Sequence, residues 1–230
     1  MKKENFRLEA NVVLPCVALG LAPFIMQATE SLIAVCFNAS LLKYGGDIAV
    51  GSMTILTSVA LFSMLPLMGL TQGAQPIISY NFGAKNARRV REAFFTLLKW
   101  SVTFSTLLWL FIMLCPQLLA GIFTSDAELI RYTENAMRIY FAVSFVFGIQ
   151  IACQQTFIAL GDAKTSLFLA LLRKIFLLIP LIYILPLIFA NKTTAVFLAE
   201  PIADFIAVSV TGTMFAVQFR KTLKENMLEF

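Results

Sequence analysis

The chain has 230 residues, 59% of them hydrophobic and 13% charged, with a net charge of +5, 22 Phe and no His. An average soluble domain is roughly 45–50% apolar and about 25% charged, so this composition excludes a water-soluble globule and reads as a membrane protein. The absent His removes the commonest general base and the usual zinc ligand, and no HExxH, phosphate-cradling loop or Ser, Cys and His grouping appears, so an enzyme is not expected.

The opening "MKKENFRLEANVVLPCVALG" is basic like a signal peptide. Glu4, Arg7, Glu9 and Asn11 dilute it, and no small-x-small site closes it. Residues 1–18 therefore read as a cytoplasmic lead-in, 19–219 as one transmembrane unit and 220–230 as a cytoplasmic tail. Apolar windows of about 20 residues predict six spans, near 19–42, 48–80, 94–123, 139–160, 166–189 and 195–219. Each is expected to be helical, because lipid leaves an open sheet edge unsatisfied. The second span is longer than a bilayer requires, so Pro66 is expected to kink or tilt it.

Six spans place both termini on one side, and the cations choose that side. Lys2, Lys3, Arg7, Lys85, Arg88, Arg89, Arg91, Lys164, Arg220, Lys221 and Lys224 fall on the side of the termini, against Lys43, Arg131 and Lys192 opposite. That asymmetry predicts cytoplasmic termini in a bacterial-type plasma membrane. The basic residues flank apolar spans and form no aromatic-interleaved groove, so nucleic acid is not an expected partner; membrane lipid is. Cys16, Cys36, Cys115 and Cys153 stand singly in apolar runs and read as small core residues.

Polar residues inside the spans carry the functional signal, because a mid-membrane Asp, Lys or Arg costs about 2.5–3.5 kcal/mol even on insertion scales. In the first span Gln27, Glu30, Ser31, Ala34 and Asn38 recur at helical spacing on one face. Glu30 lies about 16 Å beyond Leu19 along a helix axis, near the midplane, and Pro23 just before it frees backbone carbonyls. Intramembrane acids default to function, so Glu30 is the candidate for coupling to a proton or Na⁺; its structural alternatives are neutralisation by Arg173 and a carboxyl held protonated in a packed bundle. The last span holds Glu200 and Asp204 four residues apart on one face, with Pro201 loosening the backbone between them. These acids either draw cations or pair with Arg173 or Lys174 for assembly. In the fourth span Gln150, Gln154 and Gln155 serve as interhelical glue or as cavity lining. Arg173 and Lys174 in the fifth span are expected to snorkel toward the cytosol. Gly69 and Gly73 form a GxxxG expected to let a neighbouring helix approach, and Pro76 is expected to disrupt the helix near its cytosolic end.

The stretch "PLMGLTQGAQPIISYNFGAKNARRVREAF" resembles the cytoplasmic end of the eighth helix in bacterial members of the multidrug and toxic compound extrusion (MATE) family. "PFIMQATESLIAVCFNASLLKYGGD" is similar to that family's seventh helix, "GIQIACQQTFIALGDAKTSLFLALLRK" to its tenth and eleventh, and "FLAEPIADF" to its twelfth. The four matches occur in family order and cover most of the chain.

The resemblance implies an all-α integral membrane protein whose six transmembrane helices form one lobe, the C-terminal one, of a two-lobe transporter, with the lead-in as an inter-lobe linker. It implies half of an antiporter that exports small organic cations in exchange for Na⁺ or H⁺, without a cofactor. Its partner would be an N-terminal six-helix half or a second copy. Glu30 occupies the place of a coupling Glu on the family's seventh helix, whereas "FGIQIACQQ" has no carboxylate where several members place one on the tenth. Gln27, Ser31, Asn38, Gln150, Gln154, Glu200 and Asp204 are the candidate cavity residues, and no metal is expected beyond Na⁺ at Glu30. The competing readings are a non-transporting fragment or assembly subunit, and a lipid-linked sugar flippase of the same superfamily.

Overall fold

The computed structural model describes residues 10–226, with side chains from Phe24 to Leu223 apart from Met26 and Ala163. The expected lead-in at 1–9, the end of the tail at 227–230, and the side chains of Cys16 and Pro23 lie outside the described residues. Every regular element among those described is helical: α1 (Ala10–Gly83), α2 (Ala87–Leu114), α3 (Pro116–Phe123), α4 (Ala127–Tyr140), α5 (Phe147–Ala159), α6 (Ala163–Leu171), a π segment (Leu172–Leu178), α7 (Ile179–Ile188) and α8 (Lys192–Asn226).

Four helices among the described residues are long and apolar enough to cross a membrane: Gln27–Gly83, Ala87–Leu114, Lys164–Ile188 and Lys192–Leu223. The bent pair Ala127–Tyr140 and Ser144–Ala159 makes a fifth if its arms form one span. The first of the four, at 57 residues, would measure about 85 Å as a straight helix, nearly three bilayer cores. It breaks at Gly46, whose φ of 65° and ψ of −162° lie in a region that an L side chain essentially never enters. The break is tied to its neighbours. Thr193 at the start of α8 donates its hydroxyl to the Tyr44 carbonyl at 3.2 Å, and a Cβ on Gly45 would lie 2.8 Å from the Thr193 methyl.

Several expectations about interruptions are corrected. Within α1 the non-helical backbone is at Gly46 alone, so the disruption expected at Pro76 is absent and the helix continues through it; a lost hydrogen bond is tolerated in a membrane helix where neighbours re-satisfy the freed groups. A Cβ on Gly69 or Gly73 would meet nothing within 4 Å, so that GxxxG joins no helices among the described residues. The close approach occurs at Gly148, where a Cβ would overlap the Ser101 carbonyl of α2. The third expected span ends at Leu114, and Pro116 starts the separate short helix α3. The fourth bends by 51° between α4 and α5. Residues of α2 accept that bend by taking its freed carbonyls: Ser105 donates to Phe145 at 2.8 Å and Trp109 to Ala142 at 3.2 Å.

Loop chemistry sets the other turns. Lys85 sits at φ 57°, and Asn86 then caps α2 by accepting from the Arg89 amide at 3.1 Å. Gly161, at φ 85°, delivers Asp162 to cap α6, where it accepts from the Thr165 amide and hydroxyl at 3.1 and 2.7 Å. The π segment has a cause in the sequence. Pro180 lacks an amide proton and its ring crowds the carbonyl four residues back; the preceding turn widens, with the Ile179 amide bonded to Lys174 five residues back.

Two apolar cores hold the bundle. One joins Phe37, Leu41, Leu56, Met137, Ile182 and Val196, and the other Ile78, Val90, Phe94, Phe157, Leu169 and Phe215. Helix α8 runs through both and is the most enclosed span, with 56% of its apolar window buried against 22–33% elsewhere. Charge on α8 therefore has to find its partner inside the protein. Cys36 and Cys153 are buried and free and Cys115 is half-buried and free, in keeping with the role read for them as small packing residues.

Candidate functional site

The functional side chains gather where the two cores meet. On α8, Ala199 and Ala203 belong to the first core and Phe215 to the second, and Asp204 lies between them. The π segment likewise sits between Leu169 of the second core and Leu178 of the first. It presents two consecutive cations to two different helices.

Arg173 turns to α8. Its Nε donates to Asp204 at 2.5 Å and its Nη2 to Glu200 at 2.9 Å, and all three side chains are at most 13% exposed. Two carboxylates one helical turn apart thus accept from one planar guanidinium, the group whose fixed fork suits that task. The guanidinium also rests on the Phe147 ring of α5, 4.7 Å from its centroid, a cation–π contact strengthened by the dry surroundings. The expectation that Arg173 and Lys174 snorkel to the cytosol is overturned. An acid waits beside each of them, and a partnered charge has no reason to climb to water.

Lys174 turns to α1 and pairs with Glu30. Here the Lys side chain is 20% exposed and the Glu 51%, so the pair lies at the edge of the protein. Neutralisation of Glu30 by Arg173, the alternative weighed from sequence, does not occur; the neighbouring cation does it. The five groups Glu30, Lys174, Arg173, Glu200 and Asp204 are three acids and two bases.

The rest of the expected stripe lies on the outside. Gln27, Ser31, Ala34 and Asn38 are exposed together with Glu30, whereas Ile33, Cys36, Phe37 and Leu41 face the core. Ser31 bonds the Gln27 carbonyl of its own helix, at 3.3 Å. Of the glutamines, Gln154 donates to the Ser166 carbonyl at 3.2 Å and joins α5 to α6. Gln150 is 2% exposed and neither of its amide atoms has a hydrogen-bond partner among the described residues.

Beside the Arg173 triad is a cavity of about 70 Å³, lined by Ser63, Ser105, Trp109, Tyr140, Phe147 and the triad itself, among others. That is room for a few waters and well below the roughly 300–1,000 Å³ of sites that enclose a drug-sized ligand. Sequence reasoning did not find Tyr140, Phe147 or Trp109. They come from α4, α5 and α2 and bear no motif; only the packing of those helices brings them to one cavity. The signal available for Arg173 was the pair Arg173–Lys174 inside a run otherwise free of charge. Among the described residues no three Asp, Glu, Cys or His side chains are grouped so as to hold a metal ion.

The chain is similar to known proteins in sequence and in fold. The MatE family model matches residues 23–184. The multidrug export protein MepA of Staphylococcus saprophyticus is 23% identical over 80% of this chain, which covers 40% of MepA. An FAD transporter of Shewanella oneidensis is 29% identical over 58% of this chain and 29% of its own length. The solved structure of the MATE multidrug transporter DinF-BH superposes with a TM-score of 0.77 at 35% identity, covering 97% of this chain and 49% of that one. The chain thus spans half or less of the length of these relatives. A family model matched over most of the sequence, a solved relative above 30% identity and an all-helical apolar bundle agree: the chain belongs to the MATE family of efflux transporters.

Proposed function

We propose that this chain forms one six-span lobe of a secondary antiporter that exports small organic cations in exchange for Na⁺ or H⁺. The six spans are the two limbs of α1 on either side of Gly46, then α2, the bent pair α4 and α5, the continuous run from α6 to α7, and α8. Both termini lie in the cytoplasm of a bacterial-type plasma membrane. The observation that carries the reading is the charge network: five ionisable side chains inside apolar spans, three acids and two bases, reaching from the buried cavity to the exposed face of α1. Such a network is expensive in lipid unless it serves binding.

The exposed stripe Gln27, Glu30, Ser31 and Asn38 and the small volume of the cavity beside Arg173 support a substrate chamber completed by a second lobe, either an N-terminal half or another copy. In that chamber a lipophilic cation and the coupling ion compete for Glu30. When Glu30 is charged and free of the coupling ion it holds the substrate; when a proton or Na⁺ neutralises it from the outside, the substrate leaves. Lys174 holds the carboxylate in place between these events and keeps it from binding either ion too tightly. Gln150, Gln154, Glu200 and Asp204 line or brace the route.

The test is efflux from proteoliposomes of a lipophilic cationic dye, with this chain alone and with a matching N-terminal half, under imposed Na⁺ or H⁺ gradients. Gradient-driven efflux that disappears in Glu30→Gln, while the variant inserts and elutes normally, is the expected result. Full efflux by Glu30→Gln removes Glu30 from the mechanism. Efflux of FAD and not of cations would move the substrate class to that of the Shewanella relative.

A further inference from the structure

Gln150 is among the largest fully buried side chains in the protein, and both its Oε1 and its Nε2 are without a hydrogen-bond partner among the described residues. Thr211 on α8 is 0% exposed and its hydroxyl is likewise unpartnered. Each such group costs about 1–3 kcal/mol if left dry, so two in one place call for an explanation.

They are in one place. The Phe157 ring of α5 meets the Phe215 ring of α8 at 5.1 Å. At the other end, Phe147 of α5 meets Arg173, which bonds Asp204 of α8. The two helices therefore run side by side in the same direction. Counting back seven residues, two helical turns, from Phe157 and Phe215 puts Gln150 level with Val208 and on the seam between the helices. Gln150 thus stands one turn from Asp204 on one side and less than one turn from Thr211 on the other. Below Thr211 the rings of Phe94, Phe157, Phe215 and Phe219 pack together. Level with those rings, between Phe215 and Phe219 along α8, Gln218 donates to Asp162 at 2.5 Å.

We infer that the α5–α8 seam holds a buried hydration site liganded by Gln150 and Thr211. The chemistry of the ligands specifies water. Gln150 offers an acceptor and two donors and Thr211 one of each, which matches the two to four partners a buried water takes; neither side chain supplies charge to hold a metal cation.

The inference stands apart from the identity of the exported substrate and is tested without transport. In short-pulse X-ray radiolysis, hydroxyl radicals formed from trapped water oxidise side chains beside it. Cys153, 3% exposed and one turn from Gln150, is the reporter, and half-buried Cys115 is the internal control. Oxidation of Cys153 in the whole protein is expected, falling roughly threefold or more in Gln150→Leu with Thr211→Val, where a dry seam replaces the water. Thr211→Ser keeps the hydroxyl and is expected to keep the label, which separates lost hydration from a failure to fold. Cys153 unlabelled in the unaltered protein, or equally labelled in the double variant, overturns the site.

Discussion

Arg173 and Lys174 are neighbours in the chain and opposites in setting. Arg173 faces α8, the most enclosed helix, and satisfies two carboxylates with all three side chains at most 13% exposed. Lys174 faces the first limb of α1 and a Glu that is 51% exposed. The same chemistry, an ion pair inside an apolar span, is a structural obligation on one side and an accessible, exchangeable contact on the other. An exposed pair is worth about 0–1 kcal/mol, whereas breaking a buried one by removing a single partner costs about 3–5 kcal/mol because the survivor is stranded. The Glu30 side lies open at the edge of the bundle, and the Arg173 side holds the helices behind it together.

The largest expected effect separates the two sides directly. Arg173→Leu strands Glu200 and Asp204 and should lower the stability of the reconstituted protein by about 3–5 kcal/mol, read as a drop in thermal unfolding midpoint, whereas Lys174→Leu should move it by no more than about 1 kcal/mol. Equal shifts would break the comparison. Adding Glu200→Gln and Asp204→Asn to Arg173→Leu should recover much of the loss, since no buried charge is left over.

Next is the packing behind the buried side. Gly148 admits α2 at a distance where a Cβ overlaps the Ser101 carbonyl, so Gly148→Leu should cost about 1–3 kcal/mol and displace Phe147 from Arg173. Thermal unfolding checks the first, and loss of protection of the neighbouring α5 amides in hydrogen exchange checks the second. Smaller again is the joint between the two sides. Gly46→Ala forces an L residue to φ 65° and should cost about 1–2 kcal/mol, visible as faster proteolysis near the break. The smallest effect on stability sharpens the comparison most. Glu30→Gln should shift the unfolding midpoint by less than about 1 kcal/mol while abolishing gradient-driven efflux. A large loss of stability would make Glu30 a structural residue like Asp204.

Much of this molecule is legible along the chain. The apolar windows gave membrane helices, and among the described residues four or five spans are long enough to cross. Capping residues such as Asn86 and Asp162 fall where local hydrogen bonding places them. Other features depended on what packs alongside. Pro76 looked like a disruption, yet the helix continues through it and the break came at Gly46, which is conformationally free and pinned by Thr193. The Gly69 and Gly73 pair looked like a contact and touches nothing among the described residues, while Gly148, in no motif, is the tightest approach.

Composition and periodicity by themselves determined that the chain is helical and lives in a membrane, that its acids are few and therefore consequential, and that Glu30, Glu200 and Asp204 are the ones to watch. Those are local properties, fixed by the cost of placing backbone and charge in lipid. Which base meets which acid was decided only by tertiary structure. Adjacent residues on a helix point about 100° apart, and the widened turn before Pro180 aims one at α8 and the other at α1. That choice of partner makes one pair a brace and leaves the other open to exchange.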